Sequence, residues 1–154
     1  YLYYADTDHA PYGPKPKEEV REYVFKAIEF LVNEGCQIIV IACNTATSIA
    51  VSELRQKYSI PIIGMEPAVK PAIESVENST KRVLVTATPL TLKEEKLNQL
   101  IQRLDKHHQT DLLPLPDLVR FAESYEFSDE AILPYLKPCL QSFDISEYGA
   151  VVLG

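Results

Sequence analysis

Apolar residues recur along this chain in two alternating rhythms. Between residues 17 and 33, Val20, Val24, Ala27, Ile28, Leu31 and Val32 fall on one face at helical spacing. Glu18 and Glu19 suit the positive N-terminal turn of such a helix, and Gly35 follows its end. Gln37-Ile38-Ile39-Val40-Ile41-Ala42 is instead a nearly continuous apolar run, the pattern of a strand buried on both faces. The same alternation predicts a helix over 46–58, a strand over 60–64 and a short helix over 69–76. Further along it predicts a strand over 82–86, and a helix over 90–106 whose inner face carries Leu97, Leu100, Ile101 and Leu104. A strand over 112–115, helices over 117–124 and 128–141, and a strand over 150–153 complete the pattern. Pro134 and Pro138 are expected to interrupt the last helix, and residues 2–5 read as a short opening strand. Strands alternating with helices predict an α/β fold built on mostly parallel sheet. Glu77-Asn78-Ser79-Thr80-Lys81 is the most polar break, and it divides the chain into expected domains of residues 1–79 and 80–154.

Composition narrows the classes of function. With 46% hydrophobic residues and only 5 glycines among 154, the chain can bury a core. Its 15 basic and 22 acidic side chains leave a net charge of −7, which argues against a generic nucleic-acid or anionic-membrane surface. No apolar run approaches the roughly 20 residues that cross a bilayer. Cys36, Cys43 and Cys139 are an odd set with no C-x-x-C pair, and neither they nor His9, His107 and His108 have metal-ligand spacing. A reduced, cytoplasmic protein without a metal site, acting on a small molecule, is the simplest reading.

Three polar segments follow predicted strands, the edge at which open α/β sheets bind ligands. Cys43, in Ala42-Cys43-Asn44-Thr45-Ala46-Thr47, sits where a strand gives way to a helix, and unpaired N–H groups there favour a thiolate. Asn44 and Thr45 can cap that helix or bond a carboxylate; the bland reading of Cys43 is a small buried hydrophobe. In Asp6-Thr7-Asp8-His9-Ala10-Pro11-Tyr12-Gly13-Pro14, Gly13 permits close backbone approach to a ligand, though an ordinary turn-rich loop explains the composition as well. In Thr86-Ala87-Thr88-Pro89-Leu90-Thr91, Thr88 is an expected N-cap with Pro89 after it, and Thr91 lies one turn along, able to share an anion. Glycine-rich phosphate loops are absent, which disfavours a nucleotide enzyme. His9 as a base for Cys43 in a hydrolase is the weaker reading, since a lone loop histidine is usually solvated.

Taken in order, Tyr3-Tyr4-Ala5-Asp6, Ala10-Pro11-Tyr12-Gly13-Pro14, Ile41-Ala42-Cys43-Asn44-Thr45-Ala46-Thr47, Ile62-Ile63-Gly64-Met65-Glu66-Pro67-Ala68 and Ala87-Thr88-Pro89-Leu90-Thr91 resemble the glutamate racemases of the aspartate/glutamate racemase superfamily. The resemblance runs over essentially the whole chain. It implies two doubly wound parallel-sheet α/β domains with the active site between them, and cofactor-independent interconversion of L- and D-glutamate that supplies peptidoglycan synthesis. Two cysteines flank the substrate Cα in that chemistry. Cys43 matches the first, and Tyr12, Gly13, Asn44, Thr45, Thr88 and Thr91 match substrate-contacting positions. Glu123 matches a pocket glutamate loosely, because Leu115 stands where that piece usually begins with cysteine.

The departures are as informative. The family's opening D-S-G-x-G-G loop has no counterpart, and its second cysteine belongs to a G-C-T-H piece that would follow Gly154. Both domains are therefore expected to be incomplete in this chain, and the 154 residues alone are expected not to racemise. Cys36 and Cys139 match neither catalytic position. The resemblance leaves a homodimer open as the assembly. Two other classes remain: a single-cysteine decarboxylase of the same superfamily, and a non-catalytic small-anion binding module indifferent to Cys43→Ser.

Overall fold

A computed structural model describes all residues, 1–154, and divides into two compact units, Tyr1–Glu66 and Pro67–Gly154. In the first unit, α1 (Lys17–Asn33) and α2 (Asn44–Lys57) pack together, and β1 (Ile39–Ile41) pairs in parallel with β2 (Ile62–Gly64). The α1 sequence meets both of its boundary conditions. Val20, Val24 and Ile28 form its buried stripe, and the chain leaves the helix through Gly35 at φ 82°. There the Cys36 N–H bonds Leu31 O at 3.1 Å and the Gly35 N–H bonds Val32 O at 3.0 Å, the paired closure that a left-handed residue permits.

Two expectations for this unit are corrected. Residues 2–5 form no strand: they pair with no partner, and Leu2 and Tyr3 are exposed. β1 is not buried on both faces. Ile39 and Ile41 point inward, while Ile38 and Val40 stand about three-fifths exposed at 60% and 61%, with Ile63 of β2 beside them at 52%. A continuous apolar run reports what each face could bury, not what covers it.

In the second unit, β3 (Arg82–Ala87) lies between β4 (Thr110–Pro114) and β5 (Tyr148–Leu153), all parallel, in the order β4-β3-β5. Alternation along β3 sends Val83, Val85 and Ala87 into a core with α3 (Val69–Val76), α4 (Pro89–Lys93) and α5 (Glu95–Leu104). Leu84 points the other way, against Leu113 and Leu115 and the side chains of α6 (Leu118–Glu123) and α7 (Asp129–Leu140). Helices thus cover both faces of the sheet, the doubly wound arrangement. At the start of the strands, Arg82 Nε and Nη2 each donate to Asp111 at 2.7 Å, and the Tyr148 hydroxyl donates to Asp111 at 2.7 Å. The Arg82 hydrogen bonds hold the Asp111 carboxyl below the ordinary carboxylate range.

The units divide between Glu66 and Pro67, whereas the polar break had placed the crossover at residues 79 and 80. The difference is α3, whose Val69, Ala72, Ile73 and Val76 pack on β3 and β5. The predicted helix over 90–106 is two helices. Glu94 adopts extended backbone at ψ 133°, and the Asn98 side-chain amide donates to Leu92 O (3.0 Å) and to Glu94 O (2.9 Å), the latter also accepting Asn98 N at 3.3 Å. By contrast, α7 continues through Pro134 and Pro138, both exposed, so the carbonyls that lose a donor face water.

Candidate functional site

Cys43 is the N-cap of α2. It leaves β1 in extended conformation (φ −134°, ψ 122°), its carbonyl accepts the first helical bond from Thr47 N at 2.9 Å, and its Sγ accepts from Ala46 N at 3.5 Å. The half-buried sulfur therefore faces the donor-rich end of a 14-residue helix. Asn44 follows directly, and its Oδ1 is buried without a protein partner. Thr45 is buried on the same first turn, its carbonyl accepting from Ser48 Oγ at 2.9 Å. A thiol able to exchange a proton and an open amide acceptor thus lie on adjacent residues.

The loop 6–14 closes on itself through Asp6. Its carboxylate accepts from the Tyr12 hydroxyl through Oδ2, and its Oδ1 lies 2.5 Å from His9 Nδ1. His9 stacks on Tyr23 of α1 with centroids 3.8 Å apart, and Tyr23 in turn donates to Glu19 at 2.8 Å. His9 is thus a packed member of a polar network rather than a lone solvated histidine. The Tyr12 hydroxyl is pushed far above its ordinary pKa, first by burial and then by its hydrogen bond to the Asp6 carboxylate, with Cys43 among the groups that add to the effect. Tyr12 stays neutral at any ordinary pH. Gly13 is half-buried in the turn after it.

The second unit brings Thr88 and Thr91 together at the end of β3. Thr88 is the N-cap of α4, accepting from Thr91 N at 3.3 Å, with the two hydroxyl oxygens 3.1 Å apart. Thr91 is 2% exposed. Both expected threonines therefore stand at one strand-to-helix turn, in a different unit from Cys43. Glu123 is exposed at the end of α6. Cys36 and Cys139 are half-buried, Cys139 against the Leu84 cluster. No group of three or more His, Cys, Asp or Glu side chains is placed to hold a metal ion, and no helix is long and apolar enough to cross a membrane.

Sequence reasoning missed two contributors. Asp6 stood in a motif without a role of its own, although an acid six residues before a tyrosine is within reach of its hydroxyl when the loop turns back. Thr47 ended a motif without a role of its own, and its partners, Ile41 O and Met65 N, lie too far along the chain for local pattern to reveal.

Two parallel-stranded α/β units, one with a capping cysteine at a strand end and the other with a paired threonine turn at a strand end, define a class, and sequence comparison names it. Residues 2–154 match the Asp/Glu/Hydantoin racemase family, to which the chain belongs. Glutamate racemase of Halothermothrix orenii is 55% identical over all 154 residues, which make up 60% of that protein. Glutamate racemase 2 of Bacillus subtilis is 54% identical, with the chain covering 58% of it. The chain spans about three-fifths of the length of these curated relatives. Among solved structures, Escherichia coli glutamate racemase in complex with L-glutamate and the activator UDP-MurNAc-Ala superposes with a TM-score of 0.78 at 32% identity, over 95% of this chain and 55% of that one. The Campylobacter jejuni glutamate racemase gives 0.78 at 26% identity, over 92% and 56%.

Proposed function

We propose that the full-length protein is a glutamate racemase in which Cys43 is one of two thiols that act on opposite faces of the substrate Cα. The observation that carries the reading is the Cys43 sulfur at the N-terminal turn of α2, with the buried and unpartnered Oδ1 of Asn44 on the next residue. Asn44 Oδ1 is suited to an N–H donor such as an α-ammonium group, which would set the Cα of a bound amino acid beside the sulfur. The names of the relatives at 55% and 54% identity, and the L-glutamate in the E. coli structure, support the substrate.

In the forward direction the Cys43 thiolate takes the Cα proton and becomes a thiol, leaving a carbanion whose charge spreads into the α-carboxylate. The opposite thiol gives its proton to the other face and becomes a thiolate, so the centre inverts and the proton count is unchanged. The first-turn amides of α2 are neutral donors suited to the charge that develops on the intermediate, and Thr88 and Thr91 are assigned to substrate binding on the family resemblance. Tyr12 and Gly13 are assigned to the substrate wall. By the family resemblance the second thiol is the cysteine of a G-C-T-H piece, to which neither Cys36 nor Cys139 corresponds. A cytoplasmic, homodimeric enzyme that supplies D-glutamate to peptidoglycan synthesis belongs to the same proposal.

The test is Cys43→Ser in the full-length chain, with racemisation followed by circular dichroism of glutamate and solvent deuterium at Cα followed by NMR. Removing a positioned base is expected to cost about 10²–10⁴-fold in kcat or more. Racemisation by Cys43→Ser at a rate near wild type would overturn the assignment. Turnover of an arylmalonate with none of glutamate would move the reading to a one-thiol decarboxylase, and retained anion binding with neither activity would move it to a binding module.

A further inference from the structure

Thr47 makes polar contacts on both sides of Cys43 that a helix does not require. Its backbone N–H bonds Cys43 O at 2.9 Å as the first turn demands, but its hydroxyl leaves the helix altogether. Oγ1 donates to Ile41 O, the last residue of β1, at 3.4 Å, and accepts from Met65 N, just past β2, at 3.0 Å. These partners are 6 and 18 residues away in sequence, so this is not the common back-bond of a helical threonine to the carbonyl four residues earlier. The residue is 1% exposed. Its methyl fills the space over Gly64, where a side-chain carbon would collide with Thr47 Cγ2 and meet Val51 at 3.3 Å. That contact fixes the rotamer and so aims the hydroxyl.

We infer that Thr47 is a positioning residue for Cys43: one hydroxyl locks the ends of β1 and β2 to the first turn of α2, and thereby fixes the Sγ relative to the strand ends on which a substrate rests. The inference rests on the reading of Cys43 as the reacting thiol. The elements need this lock at one end only. At the other, Arg55 Nε already ties α2 to β2 through Ile62 O at 2.9 Å. Near Cys43, the hydroxyl links the helix to both strand ends, because a hydroxyl donates to a carbonyl and accepts from an N–H at the same time. Misplacing a reacting atom by about 1 Å costs about 10²-fold in rate, so a small relaxation of this turn reads out strongly in chemistry.

The experiment uses the full-length protein with Thr47→Val, which keeps the methyl volume and loses the hydroxyl, and Thr47→Ser, which keeps the hydroxyl. Thr47→Val is expected to lower kcat by about 10- to 100-fold with KM changed by less than about threefold. It is also expected to slow iodoacetamide alkylation of Cys43 and change the pH profile of that reaction, while the rates at Cys36 and Cys139, read by peptide mass spectrometry, stay at wild type. Thr47→Ser is expected to restore both readouts to within about threefold of wild type. A purely structural role would lower the melting temperature of Thr47→Val but leave Cys43 alkylation in the folded protein unchanged, and that result overturns the proposal. Equal losses in Thr47→Ser and Thr47→Val overturn it too. Should Thr47→Val not fold, Thr47→Ala removes the same hydroxyl without placing a methyl beside a carbonyl, and the same criteria apply. If the wild-type protein racemises no glutamate, the functional proposal fails while the alkylation comparison still decides the lock; if racemisation stands and the alkylation rates do not move, the lock alone fails.

Discussion

Replacing Asp105 with asparagine is expected to destabilise the second unit measurably, by an amount that depends on pH. Asp105 follows α5 and is only 7% exposed, yet its two oxygens accept from separate backbone amides, Gln109 N and Thr110 N, each at 2.9 Å. Those bonds fold the segment through His108, which is held at φ 54°, and deliver the chain into β4. Burial pushes the Asp105 carboxyl up, but the hydrogen bonds from Gln109 and Thr110 outweigh it, and the group titrates below its ordinary value. Asparagine offers one acceptor oxygen, so one amide loses its partner at a cost of about 1–3 kcal/mol. For a unit of this size, a loss of about 2 kcal/mol corresponds to a fall of roughly 8–16 °C in Tm. The sign with pH follows from the depressed folded value. The carboxylate's stabilisation is complete above the unfolded pKa of about 3.9 and is lost as pH falls through the folded pKa. Asp105→Asn does not titrate, so the gap between it and wild type should be widest near neutrality and should narrow below about pH 4. Urea unfolding at a series of pH values measures the gap, and hydrogen exchange at the Gln109 and Thr110 amides localises it. A gap that stays constant from pH 7 to pH 3, or exchange at these two amides unchanged in the variant, would refute the reasoning.

Gly35→Ala should destabilise by about 1–2 kcal/mol through backbone conformation alone, because φ is 82° and no atom lies within 4 Å of the added carbon; thermal melting checks this, and an unchanged Tm would contradict it. Leu84→Ala should cost about 2–5 kcal/mol, since Leu84 is 1% exposed and is the central-strand member of the cluster with Leu113 and Leu115. A loss below about 1 kcal/mol in denaturant unfolding would show that α6 and α7 collapse into the space instead.

What the sequence made legible was local. Helical spacing with acids at the start and a glycine beyond the end placed α1 at its observed bounds, and the apolar spacing of residues 69–76 did the same for α3. The turn at Thr88 was legible because an apolar run stands behind a capping hydroxyl; the turn at Cys43 was legible too, but the cap expected from Asn44 or Thr45 is made by the cysteine, and Asn44 and Thr45 are already helical. Cover was not legible: Ile38 and Val40 read as core and are exposed, because periodicity says which side is apolar and nothing about what lies against it. Nor were bonds between residues distant in sequence, such as Arg82 with Asp111 across 29 residues or Thr47 with Met65 across 18. The break at Glu94 depended on an asparagine side chain competing for carbonyls, which the apolar pattern of residues 90–106 does not register. The Tyr12–Asp6 pair escaped for a similar reason, being a contact made by loop closure.

The order β4-β3-β5 has a bearing on how the second unit assembles. Leu84 is opposite Asp111, 27 residues later, on one side and opposite Val151, 67 residues later, on the other. Closing the longer loop costs about 0.8 kcal/mol more in chain entropy, a small handicap in itself. The larger delay comes from α6 and α7, which must be gathered against the sheet before that loop is compact. A β3–β4 pair is therefore the expected early kernel and β5 the late arrival. Thr86, next to the Thr88 turn, donates its hydroxyl to Val152 O at 3.0 Å, so the strand end that carries the threonines acquires its last fastening only when folding is nearly finished.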